Sequence, residues 1–329
     1  MRRIAVIGGS TGLGRQVVAM LQTRPGVERV RAIESRPPRP QRAHRADSTF
    51  DVDGDADVDA DVDVDVDVVP FVPDPRPLGE YLAKERIDTV VHASLVPDRC
   101  GAAAQAREAD VIGAMCLGAA IGQTGSPVRS FIVASSSGVY PIGSDAALLQ
   151  DEHQPFLPDS AGIAATIAEA EDYARETANR LPHVNVAILR LQQLAGPGVA
   201  GPLARLLARS PVPSPAGFDP AIQLLHVDDA VGALVHAIEQ ELAGLYNVAS
   251  AGLIRFGDAV EAAGRAAVPV PPLGIAALEP MLARLALPFI PAELAALLRY
   301  GHAVDTAKLE RTGWRPRFDQ RACLATIGG

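Results

Sequence analysis

The apolar positions of this chain fall into short runs that are separated by longer amphipathic stretches. Short apolar runs bounded by glycine, proline or polar residues predict buried strands, and the stretches between them predict helices. The predicted strands are Ile4–Ile7, Val27–Ile33, Val68–Val72, Asp88–Ser94, Ser130–Ala134 and Val184–Leu191. One of the predicted helices covers Leu78–Glu85. Strands that alternate with helices predict an α/β fold with a doubly wound parallel sheet, which binds its ligands at the carboxyl ends of the strands.

A glycine-rich turn follows the first predicted strand. Gly8, Gly12 and Gly14 are spaced G-x-x-x-G-x-G, and a predicted helix runs on through Arg15. At such a turn one glycine allows the tight bend, one lets a diphosphate approach the backbone, and one lets the helix pack closely on the strand. The N-terminus of the helix then binds the diphosphate. The motif predicts a site for NAD(H) or NADP(H), and the alternative is a purely structural turn.

The residues after the second strand bear on the choice of cofactor. Glu34 lies about 20 residues beyond the glycines, where a carboxylate commonly accepts the ribose hydroxyls of NAD. Ser35, Arg36 and Arg15 suit a 2′-phosphate instead, because guanidinium groups match phosphate geometry. The sequence leaves both cofactors open, with a solvated surface as the alternative. The predicted cofactor contacts are Gly8, Ser10, Thr11, Gly12, Leu13, Gly14, Arg15, Glu34, Ser35, Arg36, Ala93, Ser94, Ala134 and Ser135.

Composition narrows the class of protein. The chain has 329 residues, of which 48% are hydrophobic, and it can therefore bury a large core. A formal net charge of −9 and the lack of a basic stripe argue against nucleic acid as a partner. Cys100, Cys116 and Cys323 form no C-x-x-C pair and fit buried free thiols in a reducing compartment. The sequence has no signal segment and no apolar run of transmembrane length, which predicts a cytoplasmic protein without a membrane partner.

Aspartate occupies every second position from Asp51 to Asp67. Alternation is typical of strands, but aspartate is rare in strands and like charges on one face repel each other. The pattern does not fit a calcium loop, because Ala56 stands where that loop needs glycine and Val62 where it needs glutamate. We interpret residues 51–68 as an acidic low-complexity insertion that holds no metal ion.

Several blocks occur in an order that is typical of one enzyme family. They are the glycine turn, Val90–Ala93, Ser135–Tyr140, Leu189-Arg190 with Gly196-Pro197, Leu224–Ala230 and Gly244–Val248. In these blocks the chain resembles the extended short-chain dehydrogenase/reductases, the NAD-dependent epimerase/dehydratases. The resemblance implies a Rossmann domain at 1–197 and a smaller substrate-binding cap and lid at 198–329, part of which returns to the Rossmann core. It also implies a small-molecule substrate and leaves a homodimer open.

The chain departs from this resemblance at the catalytic residues. The family uses a serine or threonine after the fifth strand and Tyr-x-x-x-Lys on the following helix. Ser137 matches the first of these, with Ser136 beside it, but Ile163 and Ile167 stand at the tyrosine and lysine positions. A phenol that titrates near 10 needs a nearby ammonium to exchange protons at neutral pH, and isoleucine supplies neither group.

Other polar residues near the strand ends are predicted to be structural. His92 is expected to be a buried histidine rather than a base. Tyr140 is expected to pack behind the turn that residues 135–141 form, which we call the serine turn. Asp228 and Asp229, which follow His226, are expected to open a helix, with an aspartate as its N-cap.

Three functions are compatible with this sequence. The first is an NAD(P)H-dependent ketoreductase for a bulky, largely apolar carbonyl substrate, working without the Tyr/Lys pair and typical of antibiotic biosynthesis. Ser136 and Ser137 would then stabilise the alkoxide, and Gln192 and Gln193, after the sixth strand, would contact the substrate. The second is an NAD(P)-binding sensor or partner-binding module, and the third a nucleotide-sugar epimerase/dehydratase with a relocated proton relay. We favour the reductase, because the glycine motif is intact and the cap is rich in apolar residues.

Overall fold

The computed structural model describes residues 1–9, 12–34, 69–70, 74–93, 104–154, 163–270, 290 and 292–327. Within these ranges it describes the backbone alone at 34, 69–70, 104–110, 163 and 292–293. The strands are β1 (Arg2–Ile7), β2 (Val27–Glu34), β3 (Val69–Pro70), β4 (Thr89–His92), β5 (Ser130–Ser136), β6 (Leu149–Gln150), β7 (Asn185–Leu191), β8 (Gln193–Ala195), β9 (Val212–Pro215), β10 (Ala221–Ile222), β11 (Leu224–His226), β12 (Gly244–Val248), β13 (Ile254–Arg255), β14 (Ala267–Val270) and β15 (Ala303–Val304). The helices are α1 (Gly12–Gln22), α2 (Pro75–Lys84), α3 (Ala104–Ile121), α4 (Ile163–Arg180), α5 (Pro202–Leu207), α6 (Val227–Glu239), α7 (Phe256–Ala262), α8 (Ala292–Tyr300), α9 (Ala307–Glu310) and α10 (Gln320–Ala325).

A parallel sheet with the strand order β12-β7-β5-β4-β1-β2-β3 forms the centre of the fold. The chain reverses its direction of travel across the sheet at β1, where Ile7 pairs with Ile33 on one side and His92 on the other. In doubly wound sheets such a switch point opens a ligand crevice at the carboxyl ends of the strands. The prediction of a Rossmann-type doubly wound sheet is therefore confirmed.

The sheet is buried on both of its faces. Ile4 and Val6 of β1 belong to a core cluster with α1 and α6, whereas Ala5 and Ile7 belong to a second cluster with α2, α3 and α4. Because successive strand residues point to opposite faces, an uninterrupted apolar run such as β1 can fill both clusters.

Two elements extend beyond their predicted bounds. β5 continues to Ser136, because Ser135 and Ser136 stay in register with Arg190 and Leu191 of β7. α2 begins at Pro75 rather than Leu78, since Asp74 caps it by accepting a hydrogen bond from the amide of Arg76 and proline is favoured in a first helical turn.

The C-terminal part of the chain contributes to the Rossmann core and also builds a separate apolar cluster. β12 is an edge strand of the central sheet, and α6 packs on it together with Trp314. A further cluster joins α5, α7, α8 and α10. The predicted boundary at residue 197 stays a prediction. The acidic insertion at 51–68 and residues 271–289 of the predicted cap and lid lie outside the described residues.

The N-terminus of α6 differs from the prediction. His226, not an aspartate, is the N-cap, and its Nδ1 accepts a hydrogen bond of 3.1 Å from the amide of Asp228. Asp229 instead points inward and accepts from Ser250 and from the amide of Arg317. A carboxylate at this position joins three segments, and the neighbouring imidazole is left to cap the helix.

A buried ion pair connects α4 to β7. Glu171 is fully buried, and Arg190 donates to it from Nε at 3.0 Å and from Nη2 at 2.7 Å. Ser135 donates to the same carboxylate, and Arg175 donates to it at 2.6 Å. This network holds α4 beside the ends of β5 and β7, and therefore beside the serine turn.

Replacing one partner of this pair would leave the other charge buried and uncompensated. We expect Glu171→Gln to lower the free energy of unfolding by about 3–5 kcal/mol. The control is Glu176→Gln, which removes an exposed (i, i+4) pair with Arg180 on the same helix and should change stability by no more than about 0.5 kcal/mol. Urea unfolding followed by circular dichroism measures both variants. Equal, small losses would show that the buried pair is not a major contributor to stability.

Candidate functional site

The β1–α1 turn requires glycine at several positions. Gly8 and Gly12 have φ values of 76° and 52°, in the left-handed region that favours glycine. A Cβ on Gly14 would overlap the carbonyl oxygen of Gly8, and a Cβ on Gly9 would lie 2.8 Å from that of Ala32. The first turn of α1 is therefore packed directly against the end of β1, at the switch point of the sheet.

The surroundings of this turn fit an anionic diphosphate. The first turn of α1 contains no acidic residue, so the positive end of the helix dipole is not neutralised there. The amide of Ala93 donates to the carbonyl of Ile7 at 3.0 Å, which brings the end of β4 beside the turn. Leu13 is buried behind the turn and Arg15 is half-buried.

Some of the predicted cofactor contacts can be located and others cannot. Glu34 is the last residue of β2, next to the switch point, and Ala134 is a buried residue of β5. The hydroxyl of Ser135 is bonded to Glu171, so it serves the fold and is not directed to a cofactor. The remaining predicted contacts, Ser10, Thr11, Ser35, Arg36 and Ser94, lie outside the described residues.

The serine turn lies at the carboxyl end of β5. Ser136 caps the short 3₁₀ turn Ser137–Val139 by accepting a hydrogen bond of 3.1 Å from the amide of Gly138. Ser137 is buried and donates to Oε1 of Gln192 at 2.8 Å. Both hydroxyls are therefore held in place by neighbours at the ends of two adjacent strands.

The expected proton-relay positions on α4 are apolar. Ile163 is the first residue of the helix, and its side chain is outside the described part of the structure. Ile167 is 2% exposed and packs in one cluster with Val139 and Ala168. Tyr173 packs against the core cluster that α2, α3 and α4 form on one face of the sheet. The helix thus presents hydrocarbon where the family uses an ammonium group.

A buried histidine, which sequence reasoning missed, completes this group of residues. His302 lies between α8 and β15, and its Nδ1 is 3.2 Å from Nε2 of Gln192. It is 2% exposed, and burial lowers its pKa to about 4. Ser137, Gln192 and His302 form a continuous hydrogen-bonded chain. The available signal was a histidine between a glycine and a short apolar run, which by itself is not specific.

Gln192 lies between two strands, directly after β7, and Gln193 is the first residue of β8. Its amide donates to Oε1 of Gln192 at 3.0 Å, and its side chain is half-buried in β8. The role of both glutamines as substrate contacts stays a prediction.

Two other candidates are structural, in agreement with the sequence interpretation. Burial lowers the pKa of His92 to about 4, so this histidine is neutral. Burial raises the pKa of Tyr140, whose hydroxyl donates to Oδ1 of Asn247 at 2.8 Å, and the guanidinium of Arg190 lies 4.5 Å from its ring centre. Tyr140 therefore does not supply the missing proton donor.

Residues 4–249 match the model of the NAD dependent epimerase/dehydratase family. The chain belongs to this family. It is accordingly an enzyme of the NAD-dependent oxidoreductase type, and its substrates are small molecules. Within the described residues, no helix is long and apolar enough to span a membrane, and no cluster of histidine, cysteine, aspartate and glutamate fits a metal ion.

Some known proteins are similar to nearly the whole chain, and another is similar to part of it. The uncharacterized protein Rv0501 of Mycobacterium tuberculosis is 32% identical over 319 residues, which cover 96% of this chain and 80% of that protein. A 3-diazoavenalumate denitrifying reductase of Streptomyces is 36% identical over 105 residues, covering 30% of this chain and 34% of that enzyme. The crystal structure of dTDP-glucose 4,6-dehydratase from Bacillus anthracis in complex with NAD is similar in fold, with a TM-score of 0.69 at 15% identity, and covers 100% of this chain and 96% of that one.

The close packing at Gly14 can be tested by adding one methyl group. Gly14→Ala would push α1 away from the carbonyl of Gly8, and we expect it to weaken binding of the dinucleotide by at least about tenfold, or 1.4 kcal/mol. Gly113→Ala in α3 is the control, because its Cβ would meet no atom within 4 Å. Calorimetric titration with the preferred cofactor measures both variants. Unchanged affinity in Gly14→Ala would exclude this turn as the diphosphate site.

The buried histidines also predict how stability depends on pH. The folded pKa values of His92 and His302, about 4, lie below the ordinary value of 6.5, so the unfolded chain binds more protons between these values. The stabilisation is present above pH 6.5 and is lost as the pH falls toward 4.

We expect the free energy of unfolding to fall by about 2–3 kcal/mol per buried histidine between pH 7 and pH 4.5. His92→Asn should reduce this difference, whereas replacing the exposed His183 with asparagine should not. Urea unfolding at the two pH values measures it. An equal pH dependence in wild type and His92→Asn would contradict the burial of a neutral imidazole at this position.

Proposed function

We propose that this enzyme is an NAD(P)H-dependent reductase that transfers hydride to the carbonyl carbon of a bulky, largely apolar substrate without a Tyr/Lys pair. The observation that carries the proposal is the contrast between two parts of one crevice. The β1–α1 turn retains the glycine geometry for a dinucleotide, while Ile167 fills the lysine position with hydrocarbon. An enzyme that keeps the cofactor site and lacks the proton shuttle is suited to chemistry in which hydride transfer is the essential step.

The cofactor would be held by the backbone of the β1–α1 turn and by side chains near the end of β2. Gly8, Gly12 and Gly14 would hold the diphosphate at the N-terminus of α1, and Glu34, or Arg15 with Arg36, would select the ribose or its 2′-phosphate. The reduced nicotinamide, when bound, supplies hydride.

The substrate carbonyl is held beside the ends of β5 and β7. Hydride adds to the carbonyl carbon, the π electrons move to the oxygen, and that oxygen takes a proton from water. Positioning of the reactants contributes about 7–11 kcal/mol to lowering a barrier in favourable cases. The missing general acid costs roughly 10²- to 10⁴-fold in rate, so hydride transfer can proceed without it.

Similarity to a reductase supports this choice within the family. The name of the Streptomyces relative describes reductive removal of nitrogen from a diazo compound, although the match covers 30% of this chain. The lack of the Tyr/Lys pair also resembles the simocyclinone C7 ketoreductase, an atypical member of the family, which supports a role in antibiotic biosynthesis. We further propose a cytoplasmic location.

A nucleotide-sugar epimerase or dehydratase is the second candidate, because structures of that type share the fold over the whole chain. Such enzymes move protons at the sugar as well as hydride. With isoleucine at position 167, the proton relay would have to come from another element. Protection of the C-terminal part against proteolysis by UDP- or dTDP-sugars would favour this candidate.

The reductase is tested by following the hydride. We expect a C4-deuterated reduced cofactor to place one deuterium on the carbinol carbon when 2-naphthaldehyde, or a bulky aryl ketone from a small panel, is the probe. Gly12→Asp should abolish the transfer, because a carboxylate would occupy the diphosphate position.

Ile163→Tyr is the companion variant. It should leave the rate close to that of wild type, since a phenol that titrates near 10 stays a weak general acid when no ammonium lies beside it. Mass spectrometry measures the deuterium content and the amount of the alcohol formed by the wild type, by Gly12→Asp and by Ile163→Tyr. Alcohol without deuterium, or no alcohol from any member of the panel although the cofactor binds, would contradict the proposal.

A further inference from the structure

The hydrogen bonds around Gln192 fix the orientation of its amide. Oε1 accepts from the hydroxyl of Ser137 at 2.8 Å and from the backbone amide of Gln193 at 3.0 Å. A backbone N–H can only donate, so the atom that it contacts must be the amide oxygen. The other end of the side chain, Nε2, is then a donor, and it faces Nδ1 of His302 at 3.2 Å.

This orientation also fixes the tautomer of His302. Because Nδ1 accepts a hydrogen bond from the amide of Gln192, its proton must be on Nε2. Burial lowers the pKa of the ring to about 4, so the imidazole is neutral at physiological pH and carries a single N–H. Gln192 therefore determines which ring nitrogen is the donor.

The donor so produced has no acceptor among the described residues. Nε2 of His302 is buried, the residue is 2% exposed, and no hydrogen-bond partner lies within reach in the part of the chain that the structure describes. The ring of Tyr140 has its centre 6.3 Å from that of His302, and its hydroxyl is already bonded to Asn247. A buried donor without a partner is rare in native proteins, and a catalytic role is one of the physical reasons for which such a group is retained.

The position of this donor indicates what it binds. Ser137 and Gln192 lie at the carboxyl ends of β5 and β7, the edge of the sheet at which the fold binds its ligands. In the sheet, β4 lies between β1, which leads into the glycine turn, and these two strands, and His302 reaches this edge through its contact with Gln192. A neutral, buried imidazole N–H suits an uncharged oxygen that gains negative charge as it reacts.

We infer that Nε2–H of His302, oriented by Gln192, donates a hydrogen bond to the carbonyl oxygen of the substrate, at the place in the reaction where the family uses a tyrosine hydroxyl. The imidazole keeps its proton, because it stabilises the developing alkoxide as a neutral donor, and the alkoxide is protonated by water. This inference rests on the proposed reductase function, and it makes His302 a catalytic residue and Gln192 a positioning residue.

The first experiment measures the donor by its effect on turnover. With 2-naphthaldehyde and the reduced cofactor, we expect His302→Phe to lower kcat/KM by about 10²-fold, the effect of losing one such donor, and to leave the dissociation constant of the cofactor unchanged. His236→Phe is the control, since His236 is a half-buried histidine of α6 that bonds to Thr312. Wild-type kcat/KM in His302→Phe would overturn the inference.

The second experiment does not depend on turnover. In ¹⁵N-labelled wild-type protein, the two-bond ¹H–¹⁵N spectrum should show His302 as the Nε2–H tautomer, identified by its loss in His302→Phe. Adding 2-naphthaldehyde with the oxidised cofactor should move the Nε2–H proton downfield. Gln192→Glu should convert the ring to a form with a proton on Nδ1, because a carboxylate cannot donate to that nitrogen.

The two experiments separate the inference from the proposed function. A downfield shift without reduction of the aldehyde would support the oxygen-binding donor and contradict the reductase. An Nδ1–H tautomer in the wild type, or an Nε2–H proton that does not move when the aldehyde is bound, would overturn the role of His302 whether or not reduction occurs.

Discussion

The contact between Gly14 and the carbonyl of Gly8 is the constraint on which the site depends. It allows the first turn of α1 to lie directly on the end of β1, and this places the positive end of a helix dipole at the switch point of the sheet. With the helix in this position, backbone groups are available to hold the diphosphate that we propose binds there. The proposed cofactor would then be positioned by the backbone of the β1–α1 turn.

The opposite side of the crevice combines hydrocarbon with a fixed polar chain. Ile167 packs against Val139 at the position where the family has an ammonium group. The buried Glu171–Arg190 pair holds α4 against β7. Ser137, Gln192 and His302 supply oriented dipoles without a charge. Such an arrangement can stabilise negative charge that develops on an oxygen, but it does not shuttle a proton between catalytic side chains. This difference separates the proposed reductase from the epimerases and dehydratases that share its fold.

The sequence predicted the core of this fold well, because buried parallel strands appear as apolar runs and the glycine spacing is specific to one turn. The assignment of Ile167 to the lysine position stays a prediction from the family resemblance, and the structure shows this residue packed with Val139 and Ala168. His302 was not predictable, because its partner Gln192 lies 110 residues away along the chain, and Ser137, which bonds to Gln192, lies further away still. The prediction that an aspartate caps α6 was wrong for a similar reason. Asp229 accepts hydrogen bonds from Ser250 and from the amide of Arg317, and these tertiary contacts turn its side chain inward.

Calorimetric titration of the purified protein with NADPH and then with NADH tests the account most directly, because every later step depends on the dinucleotide at the β1–α1 turn. The account predicts saturable binding of at least one of the two reduced cofactors. Preference for NADPH would assign the 2′-phosphate to Arg15 and Arg36, and preference for NADH would assign the ribose to Glu34. The absence of binding heat with both cofactors, for a folded protein, would contradict the account and reduce the glycine turn to a structural element.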